Sequence, residues 1–202
     1  IQVFKVLSSK ERPDRLHRLS GFRADLIGRK AEMTQLNEAL KKLKEGKGSI
    51  ISICGDAGTG KSRLVEDFKS TLDPIEIQWL EGHAYAYTQN IPYFPMVDLL
   101  NQTFQIKETD PPTKVREKIE SGVESLIDKK EEIVPYIGSL YSLTYTEVDN
   151  ISAETLKSRL QDSLQMVISS LVQRSPSVFF LEDLHWADPS FLELLRRCLL
   201  EL

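Results

Sequence analysis

The octapeptide Gly55-Asp56-Ala57-Gly58-Thr59-Gly60-Lys61-Ser62 constrains this chain more than any other part of its sequence. It fits the pattern G-x-x-x-x-G-K-[ST]. Its glycines let the backbone curl so that successive N–H groups point into one concavity, a nest for an anion. The flanks suit the same reading. Ser49-Ile50-Ile51-Ser52-Ile53-Cys54 is short, apolar and β-rich, and predicts a buried parallel strand. Arg63-Leu64-Val65-Glu66-Asp67-Phe68 puts Leu64, Val65 and Phe68 on one helical face. A helix starting at the loop adds unpaired N–H groups and the positive end of its dipole. Lys61 then supplies a point charge for β- and γ-phosphates, and the Ser62 hydroxyl a ligand for Mg²⁺. The candidate phosphate-binding set is Gly55, Asp56, Ala57, Gly58, Thr59, Gly60, Lys61, Ser62 and Arg63.

A phosphate loop needs a partner acid, and Val178-Phe179-Phe180-Leu181-Glu182-Asp183 offers one: four apolar residues, then two carboxylates. In a parallel α/β sheet, ligands bind beyond the carboxyl ends of the strands, so loop and acids are expected at one edge. One carboxylate binds Mg²⁺ and the other orients or deprotonates the attacking water. The usual order is Asp for the metal, then Glu or Asp for the water. Here Glu182 comes first. Position assigns Glu182 to the metal and Asp183 to the water, and side-chain preference assigns the reverse; position is favoured. The candidate catalytic residues are Lys61, Glu182 and Asp183, and the candidate metal ligands Ser62 and Glu182. The plainer reading, in which one carboxylate only caps a neighbouring helix, stands beside this one. Structural roles suit the residues that follow: Trp186 packs under the loop, Asp188 caps a helix starting at Pro189, and His185 makes structural hydrogen bonds. His17 and His83 have no metal-ligand spacing around them and receive no role.

The rest of the chain frames these motifs. At 202 residues, 41% hydrophobic and 28% charged, it is globular, and its formal charge of −4 argues against a broad nucleic-acid surface. Cys54 and Cys198 lie in apolar stretches and read as core thiols in a reducing, cytoplasmic setting. No apolar run reaches membrane-spanning length, and no signal peptide is visible. The chain starts at Ile1 rather than Met, so it is expected to be cut from a longer protein. Residues 1–24 read as a linker, with one strand at Gln2–Leu7 and a basic stretch that suits solvated linker better than a nucleic-acid arm. Residues 25–202 read as the core.

Within that core, Met33, Leu36, Leu40 and Leu43 place a helix over 28–43. Ile75, Ile77 and Trp79 alternate with polar residues as a second strand, and a helix follows over 96–104. Helices fill most of 105–175, with stripes Val115-Ile119-Val123-Leu126 and Leu156-Leu160-Leu164-Val167-Leu171, the latter capped by Ser152. Asp110-Pro111-Pro112 and the segment 141–150 break them. Ser177–Leu181 is a third strand, apolar enough to be central, and a helix from Pro189 runs to the chain end. The fold class is α/β: a parallel sheet sandwiched by helices, with a largely helical insertion between the second and third strands.

Leu26-Ile27-Gly28-Arg29-Lys30-Ala31-Glu32, Gly58-Thr59-Gly60-Lys61-Ser62-Arg63-Leu64, Ile91-Pro92-Tyr93-Phe94-Pro95 and Leu181-Glu182-Asp183-Leu184-His185-Trp186-Ala187-Asp188-Pro189-Ser190 together resemble the AAA-type P-loop ATPase domain of STAND signal-transduction proteins. The resemblance covers roughly residues 26–202. It implies ATP and Mg²⁺ as ligands, with Ile27, Gly28 and Arg29 near the adenine and ribose. It implies an effector domain on the N-terminal side, helical repeats on the C-terminal side, and nucleotide-dependent oligomers. The Gln2–Leu7 segment and its basic linker resemble the junction after a class III nucleotidyl cyclase domain. The resemblance also implies further strands after residue 202, one of them lying between the loop strand and the acid-pair strand. The chain is therefore expected to be C-terminally truncated, with those two strands not hydrogen-bonded to each other. The function implied is an ATP-binding, slowly hydrolysing regulatory switch without membrane or nucleic-acid contact. A nucleotide-locked scaffold without hydrolysis, or a P-loop small-molecule kinase, is the alternative.

Overall fold

The computed structural model describes residues 28–200. The linker at 1–24, the strand expected at Gln2–Leu7, Ile27 and the last two residues lie outside them. The described residues belong to two compact units: one holds those up to Lys41 together with Ile50–Thr71, the other Lys42–Ser49 together with those from Leu72 onward.

The first unit is built on two helices. α1, Lys30–Lys44, begins in it and forms on the expected stripe, with Leu36 buried and Met33, Leu40 and Leu43 half-buried. α2, Lys61–Lys69, buries Leu64, Val65 and Phe68, the face read from the sequence. The strand expected at 49–54 does not form. Among the described residues these positions have no regular secondary structure and no ladder partner, and Ile50 stays 66% exposed. β-propensity expresses itself only where a neighbouring strand takes up the backbone N–H and C=O groups. For the same reason Cys54 is exposed rather than a core thiol, whereas Cys198 is half-buried.

The second unit contains the sheet. β1, Gln78–His83, starts three residues later than the alternation at Ile75 predicts. Turn chemistry overrides the pattern there. The Asp73 carboxylate accepts the Ile75 N–H at 2.8 Å, the Asp73 carbonyl accepts from Glu76 and Ile77, and Ile75 is left 91% exposed. β1 pairs in parallel with β2, Ser177–Glu182, from Gln78↔Ser177 to His83↔Glu182. Among the described residues the sheet has these two strands alone, so β2 is paired on one side and half-buried along its length rather than central.

The chain between the two strands is helical, as expected: α3 (Phe94–Thr103), α4 (Pro112–Leu126), a 3₁₀ turn at Lys130–Glu132, α5 (Val134–Ser139) and α6 (Ala153–Arg174). Pro111 and Pro112 start α4, and the Ser152 hydroxyl accepts the Thr155 N–H at the head of α6. α7, Pro189–Leu199, follows β2. One apolar core joins them, with Leu100, Ile119, Ile137 and Leu164 all fully buried. Each such side chain contributes roughly 1.5–3 kcal/mol, so the insertion is an integral part of the unit's core. α3 lies directly on β1 because Gly82 has no side chain: a Cβ there would stand 2.7 Å from the Pro95 carbonyl oxygen.

Candidate functional site

The glycine loop belongs to the first unit. Gly58 and Gly60 have φ of 81° and 83°, a region that costs other residues energy. The N-cap of α2 is Gly60, which has no side chain to cap it, and the first turn of the helix carries no acid. The helix's own first turn therefore sets no negative charge against the positive end of its dipole, which lies at the loop. Lys61 Nζ donates to the carbonyls of Gly55 at 2.8 Å and Asp56 at 2.9 Å, which curls the side chain over its own loop. Thr59 Oγ1 donates to the Asp56 carbonyl at 2.8 Å and tightens the turn. Arg29 reaches this loop: Nη2 donates to the Thr59 carbonyl at 2.8 Å while Nη1 pairs with Glu32. Arg63 pairs with Asp67 one turn along α2 at 3.0 Å. A cavity of about 190 Å³ beside the loop is lined by Arg29, Leu36, Ile53, Cys54, Gly60 and Lys61 among others. A larger concavity of about 510 Å³, lined by Leu126, Asp128, Asp162 and Met166 among others, contains none of the sequence-predicted site residues. Chemistry rather than size marks the site.

The acid pair belongs to the second unit and lies at the carboxyl edge of its sheet. Glu182 is the last residue of β2, and its carbonyl accepts the Ala84 N–H at 3.1 Å. Asp183 leaves the strand at once, with φ of 56° in the left-handed region. Asp tolerates that region better than most residues. It is the N-cap of the short 3₁₀ turn Leu184–Trp186, yet its side chain makes no capping bond. The two carboxylates thus leave the backbone from different conformations. The capping role belongs to Asp188, which is buried and whose Oδ1 accepts the N–H groups of Ser190 and Phe191 at the head of α7. His185 is exposed, and its ring lies tilted by 46° against that of half-buried Trp186, their centroids 4.9 Å apart.

Three features escaped the sequence reading. The second oxygen of Asp188 accepts the N–H of Tyr93 at 2.8 Å, which ties the Ile91–Pro95 segment to the acid-pair segment and holds Tyr93 at φ 59°. His83, which received no role, ends β1 directly beside Glu182. Its Nδ1 lies 2.6 Å from Oδ2 of Asp98, a fully buried side chain on α3. That hydrogen bond raises the His83 pKa above its ordinary value against the opposite pull of burial, and the nearby Asp98, Glu81 and Glu182 charges act in the same direction. The sequence did carry a signal. Asp98 interrupts the apolar run Phe94–Leu100, and an acid on a core-facing helix position demands a partner.

The groups that nucleotide chemistry would use are present. The loop offers backbone N–H groups, a cationic side chain and a helix end, which suit a polyphosphate. Ser62 and Glu182 offer a hydroxyl and a carboxylate, hard oxygen donors of the kind Mg²⁺ takes and unlike the nitrogen–sulfur sets of zinc. Among the described residues, no group of three His, Cys, Asp or Glu side chains stands close enough to hold a metal ion by itself, and no helix is long and apolar enough to cross a membrane.

The family described as "AAA ATPase domain" matches residues 25–202. An uncharacterised protein of Rhizobium meliloti (strain 1021) is 24% identical over 215 residues, which cover 96% of this chain and 19% of that protein. The chain thus spans about a fifth of the length of the curated relative it matches. No solved structure matches it.

Proposed function

This chain belongs to the AAA ATPase domain family, and from that premise we propose that it is the ATP-binding, slowly ATP-hydrolysing switch module of a STAND-class signal-transduction protein. The observation that carries this reading is the loop: two glycines in the left-handed region lead into a helix whose first turn has no acid. Lys61 neutralises the β- and γ-phosphate oxygens. Ser62 would give Mg²⁺ a hydroxyl ligand and Glu182 a carboxylate, the metal would supply further charge neutralisation, and Asp183 would orient the attacking water. Gly28 and Arg29 serve the adenine and ribose side. The cavity of about 190 Å³ next to Arg29 is smaller than the ~300 Å³ of a typical small-molecule pocket, so it suits part of a nucleotide rather than the whole.

The resemblance to STAND domains carries the remainder of the proposal: a cytoplasmic regulator with an effector domain, of which a class III nucleotidyl cyclase is one form, before this module, helical repeats after it, and nucleotide-dependent oligomers. Phosphate release from ATP by the intact protein tests the enzymatic part. Slow release that stops on chelation of Mg²⁺ is expected. Tight ATP binding without release would replace the switch by a nucleotide-locked scaffold, and ATP consumption only with an added acceptor would replace it by a kinase.

A further inference from the structure

Arg29 stands just ahead of α1, and the helix fixes its place: its carbonyl accepts the Met33 N–H at 3.0 Å. Its guanidinium works in two directions. Nη1 donates at 2.5 Å to Oε1 of Glu32, in the first turn of the same helix. Nη2 donates at 2.8 Å to the Thr59 carbonyl, 30 residues along the chain. Glu32 thus holds one arm of a planar fork, and a fork held at one arm has little freedom left at the other. Thr59 is held on its other side by the loop itself. Its hydroxyl and its N–H both donate to the Asp56 carbonyl, at 2.8 and 3.4 Å. The Thr59 carbonyl and the Gly60 N–H belong to one peptide plane and point in opposite directions. Fixing the carbonyl toward Arg29 therefore fixes the Gly60 N–H away from it. That restraint matters because Gly58 and Gly60, at φ 81° and 83°, carry no side chain to limit their backbone. A glycine loop that waits in its binding conformation does not lose that freedom when the anion arrives.

We propose that Arg29 is a positioning residue for the phosphate loop: held by Glu32, its guanidinium anchors the Thr59 carbonyl and so keeps the Gly60 N–H turned toward the phosphates. The inference rests on the reading that this loop binds a triphosphate. It leaves the Arg29 backbone on the adenine and ribose side and assigns the guanidinium to the loop. Arg29, Glu32, Thr59, Gly60 and Lys61 border one cavity of about 190 Å³. The guanidinium there could act as anchor of the loop, as contact to the adenosine, or as a bare positive charge near an anion, and these three roles predict different binding. An arginine that only paired within α1 would need Nη1 alone.

Inorganic tripolyphosphate separates the first two roles, because it offers the loop its phosphates without an adenosine. Isothermal titration of the intact protein with tripolyphosphate and with ATP, both with Mg²⁺, is the measurement. Arg29→Ala is expected to weaken both ligands by the same factor, about threefold to fivefold for an exposed charge-assisted contact. Loss for ATP alone would make Arg29 an adenosine contact, and loss for neither would make its bond to the loop incidental; either result overturns the proposal. Glu32→Ala separates the anchor from the charge, and it keeps Arg29 in place should Arg29→Ala fail to fold. Removing an acid beside an anion site tightens binding if charge alone acts. If Glu32 holds the fork, both ligands should instead bind about twofold more weakly. Tighter or unchanged binding of tripolyphosphate by Glu32→Ala overturns the proposal. Lys61→Ala, run alongside, marks the other failure: if it leaves tripolyphosphate affinity unchanged, the loop is not the phosphate site and the inference falls with that reading.

Discussion

Gly82→Ala tests how closely α3 is held against β1. The new methyl would stand 2.7 Å from the Pro95 carbonyl oxygen, 3.1 Å from Leu181 Cδ2 and 3.4 Å from the Pro95 carbonyl carbon. Carbon and carbonyl oxygen ordinarily approach no closer than ~3.3 Å, so the helix start must retreat by roughly half an ångström or more. Leu181 can rotate, but the Pro95 carbonyl is backbone, and the residues around it are tethered. Tyr93 is tied to Asp188 ahead of it and Asp98 to His83 behind it. Overpacking of this kind costs about 1–3 kcal/mol. For a chain of this size each kcal/mol lowers the melting temperature by ~2–4 °C, which gives an expected fall of about 2–12 °C. Thermal denaturation followed by circular dichroism is the assay. A melting temperature within about 1 °C of the wild type would show that α3 is not pressed onto the strand at Gly82.

Other expectations follow from single side chains. Asp188→Ala leaves the N–H groups of Ser190, Phe191 and Tyr93 without their acceptor and should cost about 2–4 kcal/mol in urea unfolding; a loss below about 0.5 kcal/mol would mean that water replaces the carboxylate at no cost. Glu182→Gln should weaken the Mg²⁺ dependence of nucleotide binding, while Asp183→Asn should preserve binding and slow hydrolysis; the opposite pattern would reverse the two roles. The Lys118 hydrogen bond holds the Asp110 carboxyl well below its ordinary value. Its contribution to stability is therefore present above the unfolded carboxyl value near pH ~4 and fades as pH falls toward the folded value. The gap between the stabilities of wild type and Asp110→Asn should narrow steadily as pH falls below about 4, and a gap of constant size from there down to about pH 2 would contradict this.

What could be read from the sequence was whatever depends on local chemistry. The glycine loop, the stripe of α2, the Ser152 and Asp188 caps and the helical insertion each rest on residues that act within a turn or two of themselves. What could not be read depends on partners far along the chain. The apolar run at 49–54 has the composition of a strand, but no ladder partner stands beside it among the described residues. β1 starts late because the Asp73 side chain and carbonyl take the N–H groups of Ile75, Glu76 and Ile77 before a ladder can. In the candidate site, the loop and acid pair were legible as motifs. His83 was not, because its meaning comes from Asp98 fifteen residues later and from its register with Glu182. Arg29 was expected at the nucleotide, and its guanidinium is engaged by the Thr59 carbonyl of the loop.

The central claim is that the loop at Gly55–Ser62 binds ATP through Lys61. Isothermal titration of ATP into the intact protein with Mg²⁺, for wild type and Lys61→Ala, tests it most directly. Among the described residues, Lys61 bonds only to carbonyls of its own exposed loop, so the substitution should leave the melting temperature within about 2 °C. It removes charge-assisted hydrogen bonds to phosphate worth about 2 kcal/mol or more, so affinity should fall at least ~30-fold. Equal affinity in the two proteins, or no ATP binding by the wild type, would contradict the account.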